Sequence, residues 1–341
     1  MTEALPFRHW LAEIAGGRSL FEDEAEAAFG AVMSGEATPA QIGGFLIGMR
    51  VRGETVAEIT GAARVMRANA LKVAAPADAI DTCGTGGDAS GSFNISTAAA
   101  FVVAACGVPV AKHGNRRLSS RAGSADVLTA LGVNIDSGPD QVGRAIREVG
   151  IGFMMAPLHH AATRHVAGVR VELATRTIFN LLGPLSNPAG VRRQLMGVYA
   201  PQWVRPLAEV LQRLGAESAW VVHGDGMDEL TTTGLNEVAT LEDGGVDSFT
   251  LDARDLGFAR VSADALAGGD ADDNARMMRD LFTGTTGPIR DIVLLNAAAA
   301  LKVAGRVASL GDGITRAAEA IDGGRATQIL DRLIAITNEA P

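Results

Sequence analysis

Residues 81–97, DTCGTGGDASGSFNIST, join a short apolar strand to a polar loop and then to an apolar helix. The strand is AIDTC, the loop holds four glycines and Asp88, and the helix AAAFVVAAC follows, with its start placed near Ser96 or Thr97. A glycine-rich loop leaves backbone N–H groups uncovered, and a helix N-terminus adds unpaired donors with a partial positive charge. The stretch therefore predicts an α/β unit that binds an anion such as phosphate or pyrophosphate.

Strands and helices alternate on either side of this stretch. The candidate strands are AIDTC, VPVA, IGFMMA, QLMGVYA and SAWVVHG, and the helices between them end at Gly107, Gly132, Gly150 and Gly215. This order predicts a largely parallel sheet covered by helices, with ligands at the carboxyl ends of the strands. VATLEDGGVDSFTL is typical of a hairpin that turns at Asp243–Gly244–Gly245, and helices dominate from about 272 to 337.

The first 72 residues or so contain no strand pattern. Apolar spacing in LAEIAGGRSLFEDEAEAAFGAVMSG indicates helices, and Thr38–Pro39 marks a further helix start, with a cap followed by proline at the first helical position. The stretch 159–183 is likewise helical and without strands, and it could return to the N-terminal helices. The chain thus has a helical N-terminal region and a larger α/β region.

The glycine stretch differs from two known phosphate-binding loops. Gly84, Gly86 and Ala89 match the dinucleotide pattern G-x-G-x-x-G/A, but the helix begins late and no acid follows about 20 residues on to bind a ribose. A Walker A loop is excluded because the chain has only three lysines and none follows a glycine. A tight turn with a helix cap stays the alternative to an anion site.

The next strand leads into a basic segment, AKHGNRRLSSRAGSAD, residues 111–126. No carboxylate lies between Asp88 and Asp126, although the net charge of the whole chain is -9. The segment offers donors suited to further phosphate oxygens: Lys112, Asn115, Ser119, Ser120 and Ser124. A solvated basic surface is the alternative, and the neighbouring glycine loop favours a polyphosphate site.

A third segment, DGMDEL, follows the strand SAWVVHG and contains adjacent acids, Asp228 and Glu229. Hard oxygen ligands beside a phosphate pocket suit Mg²⁺, which needs only one or two protein carboxylates. Turn-forming acids are the alternative. His113 lies within the basic segment, whereas His159–His160 fits a helix cap or a solvent-facing pair, and no Ser–His–Asp or Cys–His arrangement predicts a covalent nucleophile.

Composition limits the remaining classes of function. A general nucleic-acid or membrane-surface binder would carry an excess of lysine and arginine, which this chain lacks. The N-terminus shows no signal-peptide pattern and no apolar run of about 18 residues occurs, so we expect a cytoplasmic protein. Cys83 and Cys106 are expected to be reduced and structural.

Five motifs together resemble those of the anthranilate phosphoribosyltransferase family: GTGGD (84–88), NIST (94–97), KHGNR (112–116), RTIFNLLGPLSNP (176–188) and HGDGMDEL (223–230). They occur in order over nearly the whole chain. The resemblance implies transfer of the 5-phosphoribosyl group from phosphoribosyl pyrophosphate to the amine of anthranilate, which releases pyrophosphate in the second step of tryptophan biosynthesis from chorismate. It also implies two Mg²⁺ ions and a homodimer with no nucleic-acid or membrane partner.

The resemblance further implies an α/β fold with two domains. A small all-helical N-terminal domain, residues 1–72 plus about 159–185, would carry the dimer contact and the anthranilate side. A larger α/β domain, residues 73–158 plus 186–341, would bind phosphoribosyl pyrophosphate on a central, mostly parallel mixed sheet flanked by helices.

Individual roles follow from motif position. Catalytic electrostatics are assigned to Lys112, His113, Asp228 and Glu229. Phosphoribosyl pyrophosphate would contact Gly84, Gly87, Asp88, Ser92, Asn94, Ser96, Thr97, Lys112, Asn115, Ser119, Ser120 and Ser124. Anthranilate would contact Gly84, Asn115 and Arg170. Mg²⁺ would be held by Ser96, Asp228 and Glu229, partly through water. The chain departs from the family at Ala89, Arg117, Leu118 and Arg121, which we expect to change affinity more than activity.

Two other functions stay open. A pyrimidine nucleoside phosphorylase has a related architecture, but it has no pyrophosphate–metal complex for Asp228 and Glu229 to hold. A non-catalytic relative that binds nucleotides or nucleic acid would need a broad basic surface, which a net charge of -9 argues against.

Overall fold

The computed structural model of the chain describes residues 6–116 and 122–339. The strands are β1 (Ile80–Gly84), β2 (Val110–Gly114), β3 (Ile151–Met155), β4 (Arg193–Gly197), β5 (Ser218–Gly224), β6 (Leu235–Glu242) and β7 (Gly245–Asp252). The helices are α1 (Phe7–Ala15), α2 (Glu22–Ser34), α3 (Pro39–Arg52), α4 (Val56–Ala68), α5 (Ile95–Ala105), α6 (Ser124–Ala130), α7 (Pro139–Glu148), α8 (Ala156–His159), α9 (Arg164–Leu173), α10 (Phe179–Leu185), α11 (Val204–Arg213), α12 (Ala271–Phe282), α13 (Pro288–Val303), α14 (Leu310–Asp322) and α15 (Arg325–Thr337).

The strands form one mixed sheet in the order β3-β2-β1-β4-β5-β6-β7. The first five are parallel, and β6 and β7 are antiparallel to their neighbours. The predicted strands and hairpin are confirmed. The hairpin turns at Asp243 (φ 50°) and Gly244 (φ 76°), the left-handed pair that a two-residue turn between twisted strands requires.

Alternate residues of the strands face two separate cores. On one face, Leu195, Trp220 and Val222 pack with α5 and the C-terminal helices. On the other face, Met196 and Val221 pack with α10, α11 and the N-terminal helices. α5 is buried at every residue except Ser96, since it lies between the sheet and α13 to α15. Its apolar sequence needs this double cover, and its N-terminus is therefore fixed against the sheet.

The N-terminal helices begin at polar caps that the sequence predicts. The Thr38 hydroxyl accepts a hydrogen bond from the Gln41 backbone, and the Gln41 side chain accepts one from the Thr38 backbone. This reciprocal arrangement satisfies two backbone donors that the first turn would otherwise leave unpaired. The predicted helix start at Thr38–Pro39 is confirmed.

The segment after β3 returns to the N-terminal helices. α9 packs against α2 and α3, and α10 packs against α4. The division into two domains at the boundaries given above stays a prediction, which these contacts favour. Separately, no helix within the described residues is long and apolar enough to cross a lipid bilayer.

Candidate active site

The carboxyl ends of β1, β4 and β5 meet where the strand order reverses. β1 pairs with β2 on one side and with β4 on the other, so the chain fills one half of the sheet and then returns to fill the other. In open α/β sheets such a point forms a crevice in which ligands bind. Two segments lie there, which we call the glycine loop (residues 85–94, after β1) and the acidic loop (residues 225–230, after β5).

The glycine loop has a backbone conformation that favours glycine. Gly86, Gly87 and Gly91 have φ values of 67°, 78° and 64°, and Ala89 has a φ of 60°. A Cβ in this left-handed region costs about 1 kcal/mol relative to glycine because it crowds the following carbonyl oxygen. Ala89 therefore makes the observed loop conformation less favourable than a glycine would, and its effect on affinity stays a prediction.

The acidic loop enters the crevice beside strand ends that have no side chains. Asp228 Oδ2 accepts a hydrogen bond from Gly86 N at 2.6 Å, and Asp228 N donates to Asp88 Oδ2 at 3.3 Å. A Cβ on Gly84 would lie 2.3 Å from Asp228 Oδ2, and one on Gly197 would lie 1.5 Å from the Asp228 carbonyl oxygen. Glycine at the ends of β1 and β4 therefore admits the acidic loop, which contacts the glycine loop at this edge of the sheet.

Glu229 faces the first turn of α5. Its Oε1 accepts a hydrogen bond from Ser96 N at 3.0 Å, at the positive end of the helix. Lys112 Nζ reaches the same turn from β2, where it donates to the Thr82 carbonyl oxygen and lies 3.5 Å from Ser96 Oγ. The two carboxylates of the acidic loop thus accept from backbone N–H groups, at Gly86 and Ser96, of the kind that bind phosphate.

Three acidic side chains lie near one another, Asp88, Asp228 and Glu229, and we call them the acidic cluster. Burial is the larger cause that raises the pKa of Asp228, and the negative charge of the neighbouring Asp88 raises it further. Burial is also the larger cause that raises the pKa of Glu229, and the charge of Asp228 raises it further, whereas the positive charge of Lys112 lowers it. Close carboxylates that lose hydration favour either a proton or a cation between them. The donor set therefore fits a hard divalent cation such as Mg²⁺, with Asp228, Glu229 and Ser96 as the residues that could hold it.

Three buried histidines form a second group, which we call the histidine cluster: His113, His159 and His160. The His113 and His160 ring centroids are 5.1 Å apart. His159 Nδ1 lies 2.8 Å from the Leu71 carbonyl oxygen, and the His113 and His160 rings donate to the backbone carbonyls of Gly183 and Ser186. Each Nδ1 therefore carries the proton, and each Nε2 is a buried acceptor with no hydrogen-bond partner among the described residues.

Burial keeps at least two of these imidazoles neutral. It lowers the pKa of His113 from 6.5 to about 3 and that of His160 from 6.5 to about 4, and the neighbouring histidines add to both shifts. An imidazolium in this position would lose its hydration without gaining an acid partner. His113 and His160 are therefore uncharged acceptors at neutral pH.

Contrary to expectation, His159 and His160 neither face solvent nor form a side-chain cap at the start of the helical turns that follow. They are 2% and 6% exposed. α8 continues directly from β3, and β3 pairs with β2 so that Met154 lies beside His113. The signal that could have located the two histidines is their place after the strand next to β2, at the same edge of the sheet.

Lys112 and His113 also differ from expectation, because they belong to β2 and not to the segment that follows it. The pairing of β2 with β3 continues to Gly114, and both side chains are buried, at 3% and 6% exposure. The start of α5 differs by one residue, since the helix begins at Ile95 with Asn94 as its cap.

The remaining predicted residues have these positions in the fold: Gly87 and Ser92 on the glycine loop, Asn94 and Thr97 at the start of α5, Asn115 after β2, Ser124 at the start of α6, and Arg170 in the last turn of α9. Both ends of the Asn94 amide already have protein partners, at the Ala122 carbonyl (3.2 Å) and the Asn274 amide (2.8 Å). Ser124 Oγ donates to the Asn115 carbonyl at 3.3 Å. Ser119 and Ser120, like Arg117, Leu118 and Arg121, lie outside the described residues.

Arg170 provides a positive charge on the helical side of the site. Its Cζ lies 5.6 Å from the ring centroid of Phe179, and burial lowers the pKa of its guanidinium. Within residues 6–116 and 122–339 it forms no ion pair. A half-buried guanidinium without a carboxylate partner is suited to an anionic ligand group.

Comparisons with known proteins agree on one family. A sequence model described as glycosyl transferase family, a/b domain, matches residues 76–327, and one described as glycosyl transferase family, helical bundle domain, matches residues 8–70. The anthranilate phosphoribosyltransferase of Mesorhizobium japonicum is 61% identical over 96% of this chain and 98% of that protein. That of Paramagnetospirillum magneticum is 62% identical over 96% of this chain and 95% of that protein.

Solved structures share the fold. The crystal structure of anthranilate phosphoribosyltransferase from Thermus thermophilus has a TM-score of 0.92 and 44% sequence identity, covering 97% of this chain and 99% of that one. Anthranilate phosphoribosyltransferase from Saccharomyces cerevisiae in complex with PRPP and Mg has a TM-score of 0.90 and 24% identity, covering 97% of both chains.

Proposed function

The chain belongs to the anthranilate phosphoribosyltransferase family, and we propose that its glycine loop and acidic loop bind phosphoribosyl pyrophosphate with two Mg²⁺ ions while its histidine cluster and Arg170 bind anthranilate. The family reaction transfers the 5-phosphoribosyl group to the amine of anthranilate in tryptophan biosynthesis. It gives N-(5-phosphoribosyl)anthranilate and pyrophosphate. The assignment of residues to each substrate is the proposal.

One observation supports this division above the others: half-buried carboxylates accept hydrogen bonds from backbone amides of the kind that bind phosphate. Asp228 accepts from Gly86 N, and Glu229 accepts from Ser96 N. A phosphate at either amide would face a carboxylate, so a cation must lie between them. A phosphorolysis site that binds inorganic phosphate without metal has no need of this pair.

The chemistry requires electrostatic stabilisation more than acid–base catalysis. When the ribose C1–O bond breaks, negative charge grows on pyrophosphate and positive charge grows on the ring. Preorganised donors aimed at the leaving group lower this barrier, and here they are the glycine-loop amides, the N-terminus of α5 and Lys112. Bound Mg²⁺ would supply further charge neutralisation at the pyrophosphate oxygens.

The acceptor side needs orientation and no strong base. An aromatic amine is unprotonated at neutral pH and can attack C1 without prior loss of a proton. The unpartnered Nε2 atoms of the histidine cluster are suited to accept N–H donors, and Arg170 is suited to a carboxylate. We assign His113 the role of orienting the amine, since its Nε2 is one of the unpartnered acceptors of the histidine cluster. Fixed orientation of the two reactants can contribute several kcal/mol.

We also propose a cytoplasmic homodimer that associates through the helical domain. Three apolar side chains at the ends of α2, α3 and α9 are largely exposed: Phe21 at 69%, Val51 at 83% and Val171 at 79%. Large apolar side chains in this state favour association with another surface. Sedimentation equilibrium on the full chain tests the dimer, and a Val51→Glu/Val171→Glu variant should shift it to the monomer.

The loss of anthranilate fluorescence tests the function. Purified protein mixed with anthranilate, phosphoribosyl pyrophosphate and Mg²⁺ should remove the fluorescence, and omission of either the second substrate or the metal should prevent this. A constant signal across a wide range of Mg²⁺ concentration would sink the assignment. Incubation with a pyrimidine nucleoside and phosphate is the control, and it should release no base.

A further inference from the structure

Arg176 connects the glycine loop to the helical side of the site. It lies in the short segment between α9 and α10, and its guanidinium donates to the Gly87 carbonyl oxygen. Its Cζ also lies 4.3 Å from the ring centroid of Tyr199, just after β4. The guanidinium thus has two partners from different parts of the chain, one a backbone group of the glycine loop.

Tyr199 is itself fixed to the glycine loop. Its backbone N–H donates to Thr85 Oγ1 at 2.9 Å, and the Thr85 N–H donates to the Gly197 carbonyl at 3.0 Å. The Tyr199 hydroxyl accepts from Trp203 Nε1 at 3.0 Å, which holds the ring in place. Arg176 and Tyr199 therefore contact the glycine loop at two positions, Gly87 and Thr85.

The chemistry of this contact requires arginine. A planar guanidinium can lie over an aromatic ring and donate a hydrogen bond at its edge at once, whereas a lysine ammonium cannot do both. Within the described part of the chain Arg176 has no carboxylate partner, so its charge also adds to the positive potential beside the loop. Gly87 lies at a positive φ, and a donor on its carbonyl favours that peptide orientation.

Arg170, which is assigned to anthranilate, lies close to Arg176 along the chain. Arg170 is six residues earlier, in the last turn of α9, and Ala174 at φ 46° ends that helix. After Arg176 the backbone is held again, since Thr177 N donates to Asn180 Oδ1 at 3.0 Å. A displacement of Arg170 is therefore transmitted over a short, restrained stretch to Arg176 and the glycine loop.

We propose that Arg176 is a positioning residue that ties the glycine loop to the segment carrying Arg170, so that binding of the aromatic acceptor and binding of the pyrophosphate donor favour one loop conformation. This inference rests on the proposed function for the identity of the two ligands. It predicts positive coupling: each substrate binds more tightly when the other is present.

Variants of both partners test the inference. Arg176→Ala should raise the KM for phosphoribosyl pyrophosphate about tenfold and remove the coupling between the substrates. Arg176→Lys should recover little of this loss. Tyr199→Leu should weaken binding in the otherwise wild-type chain and add little in the Arg176→Ala background, whereas Tyr199→Phe, which keeps the ring and loses only the bond from Trp203, should weaken binding less than Tyr199→Leu. Arg205→Ala, which removes an exposed arginine on α11, is the matched control.

Two readouts separate positioning from general destabilisation. Low concentrations of guanidinium ion should partly restore Arg176→Ala and leave the wild type unchanged, and the melting temperature of Arg176→Ala should stay close to that of Arg205→Ala. Unchanged KM and coupling in Arg176→Ala would overturn the inference. A loss without guanidinium rescue and with a matching fall in melting temperature would also overturn it.

Calorimetry distinguishes failure of the inference from failure of the proposed function. Binding of phosphoribosyl pyrophosphate with Mg²⁺ is measured with and without anthranilate, and it does not depend on turnover. If the wild type catalyses the reaction but its two substrates show no coupling in binding, the proposed function is supported and the inference about Arg176 is overturned. If the wild type binds no phosphoribosyl pyrophosphate, both the proposed function and the inference about Arg176 are overturned.

Discussion

The acidic cluster and the histidine cluster show how one physical cause has opposite effects on two sides of a site. Burial raises the pKa of Asp228 and Glu229, and burial lowers the pKa of His113 and His160. Both shifts disfavour the charged form. The acids nevertheless face backbone donors that bind anions, whereas the two imidazoles are neutral throughout the physiological pH range.

The two clusters therefore differ in the ligand that each can accept. The acidic cluster gains from a cation accompanied by a polyanion, because the cation removes repulsion among three carboxylates. The histidine cluster gains from an uncharged ligand with N–H donors, because its Nε2 atoms are buried acceptors without partners among the described residues. A site that joins a charged donor to a neutral amine needs both environments, and β2 contributes a side chain to each: Lys112 near Ser96 and His113 in the histidine cluster.

The largest expected effect comes from neutralising the acidic cluster. Asp228→Asn with Glu229→Gln should lower turnover by about 10³-fold at physiological Mg²⁺, because the cation that balances pyrophosphate is lost. The Mg²⁺ dependence of turnover should shift far more than the KM for anthranilate. Asp225→Asn is the matched control on the same loop, where the carboxylate accepts from Thr233 Oγ1 and not from a glycine-loop amide. An unaltered metal titration in the double variant would remove Asp228 and Glu229 from the metal role.

A smaller effect is expected when only the placement of the acidic loop changes. Gly84→Ala puts a methyl group 2.3 Å from Asp228 Oδ2, so the carboxylate must move. A displacement of about 1 Å at a reacting centre can lower turnover about a hundredfold, and steady-state kinetics would measure it. Gly30→Ala is the control, since a Cβ there meets nothing within 4 Å. Wild-type kinetics for Gly84→Ala would show that the tight contact does not position Asp228.

Anthranilate binding should weaken when the guanidinium of Arg170 is removed. Arg170→Ala should raise the KM for anthranilate between about tenfold and a hundredfold while changing the KM for phosphoribosyl pyrophosphate much less. Arg164→Ala, at the exposed start of the same helix, should leave both values unchanged. If Arg170→Ala changed only the KM for phosphoribosyl pyrophosphate, Arg170 would belong to the binding site of that substrate and not to the anthranilate site.

The histidine cluster should also set a pH dependence of stability. Its folded pKa values, about 3 for His113 and about 4 for His160, lie below the ordinary 6.5. The unfolded chain therefore binds protons that the folded chain does not, and the stabilising contribution is complete above pH 6.5 and is lost as the pH falls toward 4. Each group should change the free energy of unfolding by about 1.4 kcal/mol per pH unit over that interval.

Urea unfolding at pH 7 and at pH 5 measures this slope. His160→Asn keeps an N–H donor for the Ser186 carbonyl but does not titrate, so its free energy of unfolding should fall less steeply than that of the wild type. Equal slopes for the wild type and His160→Asn would mean that His160 is not a buried neutral imidazole.

The parts of the site that follow from local sequence could be predicted. The strand before the glycine loop, the loop itself and the apolar helix after it follow from residues 79–106 alone, because each depends on nearest neighbours along the chain. The convergence of Asp228 with Gly86 also follows, since parallel strands bring their carboxyl ends to one edge.

The missed features depend on which strands are neighbours. His159 and His160 are buried because β3 lies beside β2, and the sequence does not state that order. Arg176 and Tyr199 meet because α9 and β4 end at the same crevice, although neither residue stands out by spacing. Lys112 is buried because β2 continues beyond its apolar residues. These contacts are long-range, and packing decides them.

The most direct test of the two-cluster account is to measure the binding of each substrate against Mg²⁺ in the wild type and in Asp228→Asn/Glu229→Gln. Calorimetry should show that phosphoribosyl pyrophosphate binds the wild type tightly only with Mg²⁺ and that the double variant loses this dependence. Anthranilate binding alone, measured by fluorescence, should be the same in both proteins and independent of the metal. Metal-dependent anthranilate binding, or metal-independent binding of phosphoribosyl pyrophosphate to the wild type, would contradict the account.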